Sequence, residues 1–232
     1  ENPNLIGLNM CITIIILCLA VLQNKLKLGK VRYLLLLPIP LMLQLMADTA
    51  SRVAFIAFVL SFVVGVLFLQ VKSRWLKLVV ILIGTVVFVA ILQYLLHSEL
   101  LMARLIASYQ IGDLSGRQQI YNRILSVVEQ NLIFGIGKTG YFYLFGIGSP
   151  HNVFLEILVY TGVAGLILYL TFLFSLVRIA YKYMRRTGYI LSLLLYIPVL
   201  GMLLSGQVLE KKIEWIIYAY TVSCSFEIKE KF

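Results

Sequence analysis

Charge is what this 232-residue chain has least of: Asp, Glu, Lys and Arg together make up 13% of it, while 61% is hydrophobic. A soluble domain carries about a quarter charged residues and about half apolar ones, so a soluble globule is excluded. The same deficit excludes disorder, because a disordered chain must be poor in apolar residues. Only three cysteines occur, Cys11, Cys18 and Cys224, all in apolar runs without C-x-x-C spacing. Neither a disulfide framework nor a thiolate metal site is indicated, and packing is the expected role. Histidine is rarer still, with His97 and His151 alone. The acids outside the apolar cores, Asp48, Glu99, Asp113, Glu129, Glu210 and Glu214, form no D-x-D, H-E-x-x-H or closely spaced pair. That spacing argues against metal catalysis, and no cofactor is called for.

What is abundant is long apolar runs, and the mean hydropathy is +0.97. A bilayer core needs about 20 apolar residues of helix, since each residue rises about 1.5 Å and no backbone group can go unbonded in lipid. Residues 5–22, 31–47, 53–71, 76–96, 153–177, 189–207 and 213–226 meet or approach that length, the last being short. The expected fold is therefore all-α, a polytopic transmembrane helical bundle of about seven spans. Pro38 and Pro40 lie inside the second run, where each removes a backbone donor and predicts a kink or an unwound turn.

The formal net charge of +10 is mostly a statement of topology. Residues 23–32, 72–77 and 178–188 hold eleven Lys and Arg in 27 residues, whereas the alternate segments 47–52, 97–152 and 207–214 hold seven in 70. Positive loops stay cytoplasmic, so the second set faces outward and nucleic acid is not the expected partner. The resulting organisation is transmembrane helices 1–4 in residues 1–96, an extracytoplasmic loop in 97–152, and transmembrane helices 5–7 in 153–232. The chain begins at Glu1 with no basic stretch before the first run, so that run is not a signal peptide. Seven spans from an outside start suggest a piece of a longer polytopic protein whose N-terminal spans are missing.

Connections longer than about 15 residues are usually functional, which directs attention to the outer loop. Ser115 and Gln118 have capping-box spacing, and Ile120, Tyr121, Ile124, Leu125, Val127 and Val128 recur at helical period. An amphipathic helix over about 116–130 is expected on the outer membrane surface, with Arg117 and Arg123 on its polar side. The following stretch, 134–148, carries Gly135, Gly137, Gly140, Gly146 and Gly148 among aromatics and suits turns and close backbone approach. Ser149 and Pro150 read as the N-cap and first position of the fifth span. Gly135, Gly137 and Gly140 match G-x-G-x-x-G by letter, but a helical membrane chain supplies neither the strand nor the acid of a dinucleotide site. Gly137-Lys138-Thr139 resembles the end of a phosphate loop, yet the glycine required five residues earlier is Leu132.

His151, beside Asn152 at the mouth of the fifth span, is placed to accept a proton from a hydroxyl, because imidazole titrates near neutrality. An interfacial headgroup anchor is the bland alternative, and for His97 a boundary role is the expected one. Arg52, Arg117 and Arg123 all lie on the outward side, where their planar forks suit a phosphate. The alternatives are an Asp48–Arg52 pair at i, i+4 and simple headgroup contacts. Glu156 sits one turn past Asn152, where an acid costs a few kcal/mol unless it faces a partner or a polar cavity. It is read as supporting His151 or the arginines.

Arg52 within Thr49-Ala50-Ser51-Arg52, the Ser115-Gly116-Arg117 helix start, Asn131 through Phe134-Gly135-Ile136-Gly137, and Ser149-Pro150-His151-Asn152 with Glu156 and Gly162 resemble the O-antigen ligase and polymerase superfamily. Asn2-Pro3-Asn4 and Trp215 look similar too, and the chain would be the C-terminal part of such a protein. The resemblance implies a membrane glycosyltransferase at the outer face of the bacterial inner membrane. It would move a glycan from undecaprenyl diphosphate to an acceptor hydroxyl on a glycan or lipid, without metal or nucleotide. By resemblance, Arg52 and Arg117 hold the diphosphate and His151 is the base of a single inverting displacement. Arg123 has no clear counterpart in the family, and its substrate-binding role rests on position. Polymerisation of O-antigen or capsule repeat units is the leading reading. Ligation to lipid A core, protein O-oligosaccharyl transfer, and a polysaccharide transporter or flippase are the alternatives; the absence of repeated halves and of midplane charge weighs against transport.

Overall fold

Lipid leaves the backbone no partner but itself, so a chain this apolar closes its hydrogen bonds along helices. The computed structural model describes residues 2–23, 27–68, 74–97, 117–146, 150–206 and 212–229, with 99, 102–103 and 106–107 between the fourth and fifth helices. Every regular element among them is helical: α1 (Pro3–Gln23), a 3-10 helix (Gly29–Leu36), α2 (Ile39–Asp48), α3 (Arg52–Phe68), α4 (Arg74–Leu96), α5 (Arg117–Gln130), α6 (Gly137–Phe145), α7 (Val153–Thr187), α8 (Leu191–Leu194), α9 (Tyr196–Ser205) and α10 (Lys212–Lys229). Among the described residues three stretches are long and apolar enough to cross a membrane, Pro3–Gln23, Gly29–Asp48 and Val153–Thr187. Arg52–Phe68 and Leu191–Ser205 are shorter apolar helices. Pro38 and Pro40 act as expected, with the 3-10 turn ending before Pro38 and α2 starting after it.

Side-chain bonds fix how the helices run. At one end Gln23 bridges the close of α7 and the start of α8, its Nε2 donating to Gly188 O at 2.7 Å and its Oε1 accepting from Ile190 N at 3.2 Å. Gly188 is left-handed and returns its N–H to Met184 O, while Arg185 and Arg186 face the negative end of the helix. At the other end the start of α1 meets the close of α2 and the start of α3. A Cβ on Gly7 would come within 2.7 Å of Ala54 Cβ, and one on Gly201 within 2.9 Å of Leu8 Cδ2, so small residues let these helices cross closely. α1, α3 and the latter part of α7 therefore run one way, and α2 and α9 the other. α10 runs parallel to α7, joined by the Tyr169–Tyr218 hydroxyl contact at 3.4 Å and by Tyr183 Oη donating to Glu227 Oε2 at 2.8 Å. α4 joins through Phe88, stacked on Phe62 at 3.9 Å. The bundle is apolar outside as well as inside, with Leu82, Leu168 and Phe174 all well exposed, as lipid-facing positions should be.

The sequence expects one unbroken helix from 153 onward, and here the structure differs. Gly162 has φ 67° and ψ −167°, which breaks α7 into residues 153–161 and 163–187. A straight helix would separate residues 154 and 169 by about 22 Å. The Phe154 and Tyr169 ring centroids are 6.3 Å apart, so the first segment folds back along the second. Residues 163–187 alone span about 37 Å, enough for a hydrocarbon core of about 30 Å.

Loop backbone fills the break. Ile136 N donates to Val159 O at 2.9 Å, Val163 N to Leu132 O at 2.8 Å and Ala164 N to Ile133 O at 3.3 Å, replacing bonds the helix has lost. The approach is so close that a Cβ on Gly162 would strike Ile133 O, and one on Gly135 would lie 2.6 Å from Val159 O. Gly146, also left-handed, has open space around it. Gly146→Ala should bear only the left-handed penalty of about 1–2 kcal/mol, whereas Gly162→Ala bears that and the clash. Thermal unfolding in detergent should show a clearly larger drop in Tm for Gly162→Ala, and equal drops would contradict the interlock.

Candidate functional site

Arg52 is the first residue of α3, and a short network determines where that helix starts. Ser51 Oγ accepts from Ala54 N at 3.2 Å, an N-cap bond, and donates to Asn4 Oδ1 at 2.8 Å. Asn4 is itself ordered, because its N–H donates to Asn2 Oδ1 at 3.0 Å. Ala50, buried and left-handed at φ 45°, makes the turn between α2 and α3. Because of that turn Asp48 closes α2 while Arg52 opens α3, so the two do not share one helix as an i, i+4 pair would. Arg52 is half-buried at a helix N-terminus, whose free N–H groups also favour an anion. The capping role of Ser51 is not foreseen in the reading of its motif, although Ser followed by an apolar helix is a recognisable cap signal.

The loop helix expected over 116–130 is α5, Arg117–Gln130. Ser115, Gly116 and the Arg117 side chain lie outside the described residues; the Arg117 backbone opens the helix. Ile124 and Val128 are buried with Tyr141 and Val159 in a small second core, so the apolar face read as a lipid contact is first a protein contact. Arg123 points outward, its guanidinium 5.5 Å from the centre of the Phe145 ring.

The glycine-rich stretch expected to be turns contains a helix, α6. Gly137, with φ 73°, opens it and left-handed Gly146 closes it. Its Tyr141 is buried, packed on Phe145 at 4.8 Å and edge-on to Tyr160 at 5.5 Å. That aromatic burial outweighs the roughly 1 kcal/mol that a helical glycine such as Gly140 costs. Burial pushes the Tyr141 phenol up to about 12, and the Glu156 carboxylate adds to the shift, so Tyr141 stays a neutral hydroxyl at working pH.

His151 and Asn152 open the first segment of α7. The helix does not start at Pro150 as the sequence suggests, because His151 turns left-handed at φ 55° between them. Asn152 is instead the N-cap, extended at φ −154°, with Oδ1 accepting from Phe154 N at 3.0 Å and Leu155 N at 3.2 Å. Pro150 is buried, and Ser149 lies outside the described residues. Histidine is among the few side chains enriched in the left-handed region, and holding one there before a capped helix fixes the direction from which its ring leaves the chain. Glu156 is buried one turn on, its N–H donating to Asn152 O at 2.9 Å. His97 is exposed and its Nδ1 lies 2.7 Å from Gln93 O, in keeping with a helix-end role.

The structure thus gathers α5, α6 and the His151–Glu156 turn into one unit around the Gly162 break. Val153 and Ile157 of that unit are buried in the same main core as Ala50 and Ala54, which flank Arg52. Asn152→Asp keeps the cap acceptor and should leave Tm near that of the parent, while Asn152→Ala should lose about 0.5–2 kcal/mol. Equal loss from both in thermal unfolding would show that the amide nitrogen, not the cap, is what matters.

No curated protein and no solved structure matches the chain. A family described as O-antigen ligase matches residues 37–170, a stretch that runs from α2 past the Gly162 break and includes Arg52, Arg117, Arg123, His151, Asn152 and Glu156. Since more than half of the sequence lies within that match, this membrane protein belongs to the O-antigen ligase family.

Proposed function

We propose that the chain is the C-terminal part of a membrane glycosyltransferase that transfers a glycan from undecaprenyl diphosphate to an acceptor hydroxyl, polymerising O-antigen or capsule repeat units. Family membership brings an O-antigen ligase or polymerase type of enzyme; donor, acceptor and residue roles are our reading. The observation that carries it is His151, held left-handed before a capped helix in a unit that also carries Arg117 and shares its core with the start of α3.

In this reading His151 takes the proton of the acceptor hydroxyl as its oxygen attacks the anomeric carbon. The new C–O bond forms as the bond to the diphosphate breaks, and the diphosphate leaves with the electron pair. Configuration inverts. Arg52 and Arg117 neutralise the charge that develops on the leaving group, the N-terminus of α3 adds to them, and Arg123 guides the glycan. Glu156 and Asn152 hold the His151 turn in place. The diphosphate is already a good leaving group, so charge stabilisation and one base suffice, without metal or cofactor.

The opposed directions of α1, α2, α3, α7 and α9 support an alternation of spans, and the uneven distribution of Lys and Arg supports placing residues 97–152 on the extracytoplasmic face of a bacterial inner membrane. Within it the fifth span would be residues 163–187, with 153–161 folded back beside it and part of the site.

His151→Ala in the full-length protein should lower chain growth by about 100-fold or more, the scale of a lost general base. Arg52→Lys should also fail, since an ammonium cannot replace a bidentate fork. Glycan ladders formed by the purified enzyme from carrier-linked repeats alone would mark a polymerase. A requirement for lipid A core or a protein acceptor would mark a ligase, and normal chain growth in His151→Ala would point to transport instead.

A further inference from the structure

At the end of the molecule away from His151, one row of charge has nothing in the bundle to balance it. On α7, Arg178, Lys182 and Arg185 recur at i, i+4 and i+7, so they stack on a single face of the helix. Leu176, Ala180, Tyr183 and Met184 are buried on the opposite face. Phe174, 70% exposed, continues the charged row toward the middle of the helix, so the row points outward, where lipid would lie. None of the three cations makes a hydrogen bond, an ion pair or a ring contact with another described residue. Glu227, at the same end, accepts instead from the buried Tyr183. Depth decides what can balance the row. A hydrocarbon core of about 30 Å takes about 20 residues of helix. With the outer boundary set at Val163, where the break ends, the inner one falls near residue 183, and Arg178 stands about 7 Å inside it. An unbalanced guanidinium is expensive at that depth, and the cost is relieved by pairing or by drawing polar headgroups inward.

We propose that Arg178, Lys182 and Arg185 form a binding site for an anionic phospholipid of the leaflet away from His151. The inference rests on residues 163–187 being the fifth span, as proposed above, and is independent of the glycan donor. Charge and depth together select the occupant. A free anion stays in water, whereas a lipid headgroup drawn down beside the helix brings its phosphate to Arg178 and leaves its acyl chains against Phe174. The planar fork of Arg178 takes two phosphate oxygens, and Lys182 and Arg185 add attraction on the water side, which favours a headgroup with net negative charge over a zwitterionic one. The leaflet thins locally around α7, and the helix is held at a fixed depth.

Quenching of a tryptophan placed beside the row, Phe174→Trp, tests this in the full-length protein in phosphatidylcholine bilayers, with the parent's own tryptophan signal subtracted. The quencher is phosphatidylglycerol or phosphatidylcholine brominated on its acyl chains, which acts only in contact with the indole. Half-maximal quenching should need about fivefold less brominated phosphatidylglycerol than brominated phosphatidylcholine. Adding Arg178→Gln, Lys182→Gln and Arg185→Gln together should bring the two lipids to within about twofold of each other. Arg178→Gln alone should lose part of the preference, which keeps the test open if the triple variant does not fold. Equal quenching by both lipids in the Phe174→Trp protein, or a preference unchanged in the variants, would overturn the proposal. So would displacement of the lipid by millimolar inorganic phosphate, which would mark a site for a soluble anion. Quenching by neither lipid would show that α7 does not meet lipid at residue 174, and the fifth span would fall with the proposal.

Discussion

The exchange of backbone hydrogen bonds at Gly162 is the constraint on which the rest depends. A membrane helix cannot break in lipid without supplying its orphaned carbonyls and amides from elsewhere. Here residues 132–136 supply them, through Ile136 N to Val159 O, Val163 N to Leu132 O and Ala164 N to Ile133 O. The break and the loop are therefore mutually required. Because the segment before the break folds back, His151 and Asn152 end up alongside the helix rather than on its extension. α5 and α6 clamp that segment through Ile124, Val128 and Tyr141. The described part of the loop is thereby packed against α7 rather than left as a tether.

The second fixed point is the start of α3. Asn2, Asn4 and Ser51 form a chain of bonds that leaves Arg52 at the first helical position, with the close Gly7–Ala54 crossing behind it. This network ties the origin of α1 to the origin of α3 and so sets where Arg52 stands in the fold.

Much of this was legible in the sequence because the signals were local. Apolar runs, the Pro38–Pro40 interruption and the 3.6-residue period of α5 depend on neighbours along the chain. The family, too, was legible through local motifs, and its match spans the positions of Arg52, Arg117 and His151. What was not legible was set by contacts distant in sequence. Gly162 sits in an apolar run that reads as continuous helix, and only the arrival of residues 132–136 explains the break. α6 was hidden by its glycines, since nothing local shows that Tyr141 and Phe145 will be buried against Tyr160. The Asn152 cap displaced Pro150 because His151 adopts a backbone conformation that composition does not disclose.

We propose that Arg52 and Arg117, far apart in sequence, grip one lipid-borne diphosphate. Affinity for polyprenyl diphosphate in the Arg52→Ala, Arg117→Ala and doubly substituted proteins tests it most directly. Groups sharing one ligand couple by about 0.5–3 kcal/mol, so the double variant should depart from the sum of the singles by that much. Losses that add to within about 0.5 kcal/mol would mean independent sites and would contradict the account.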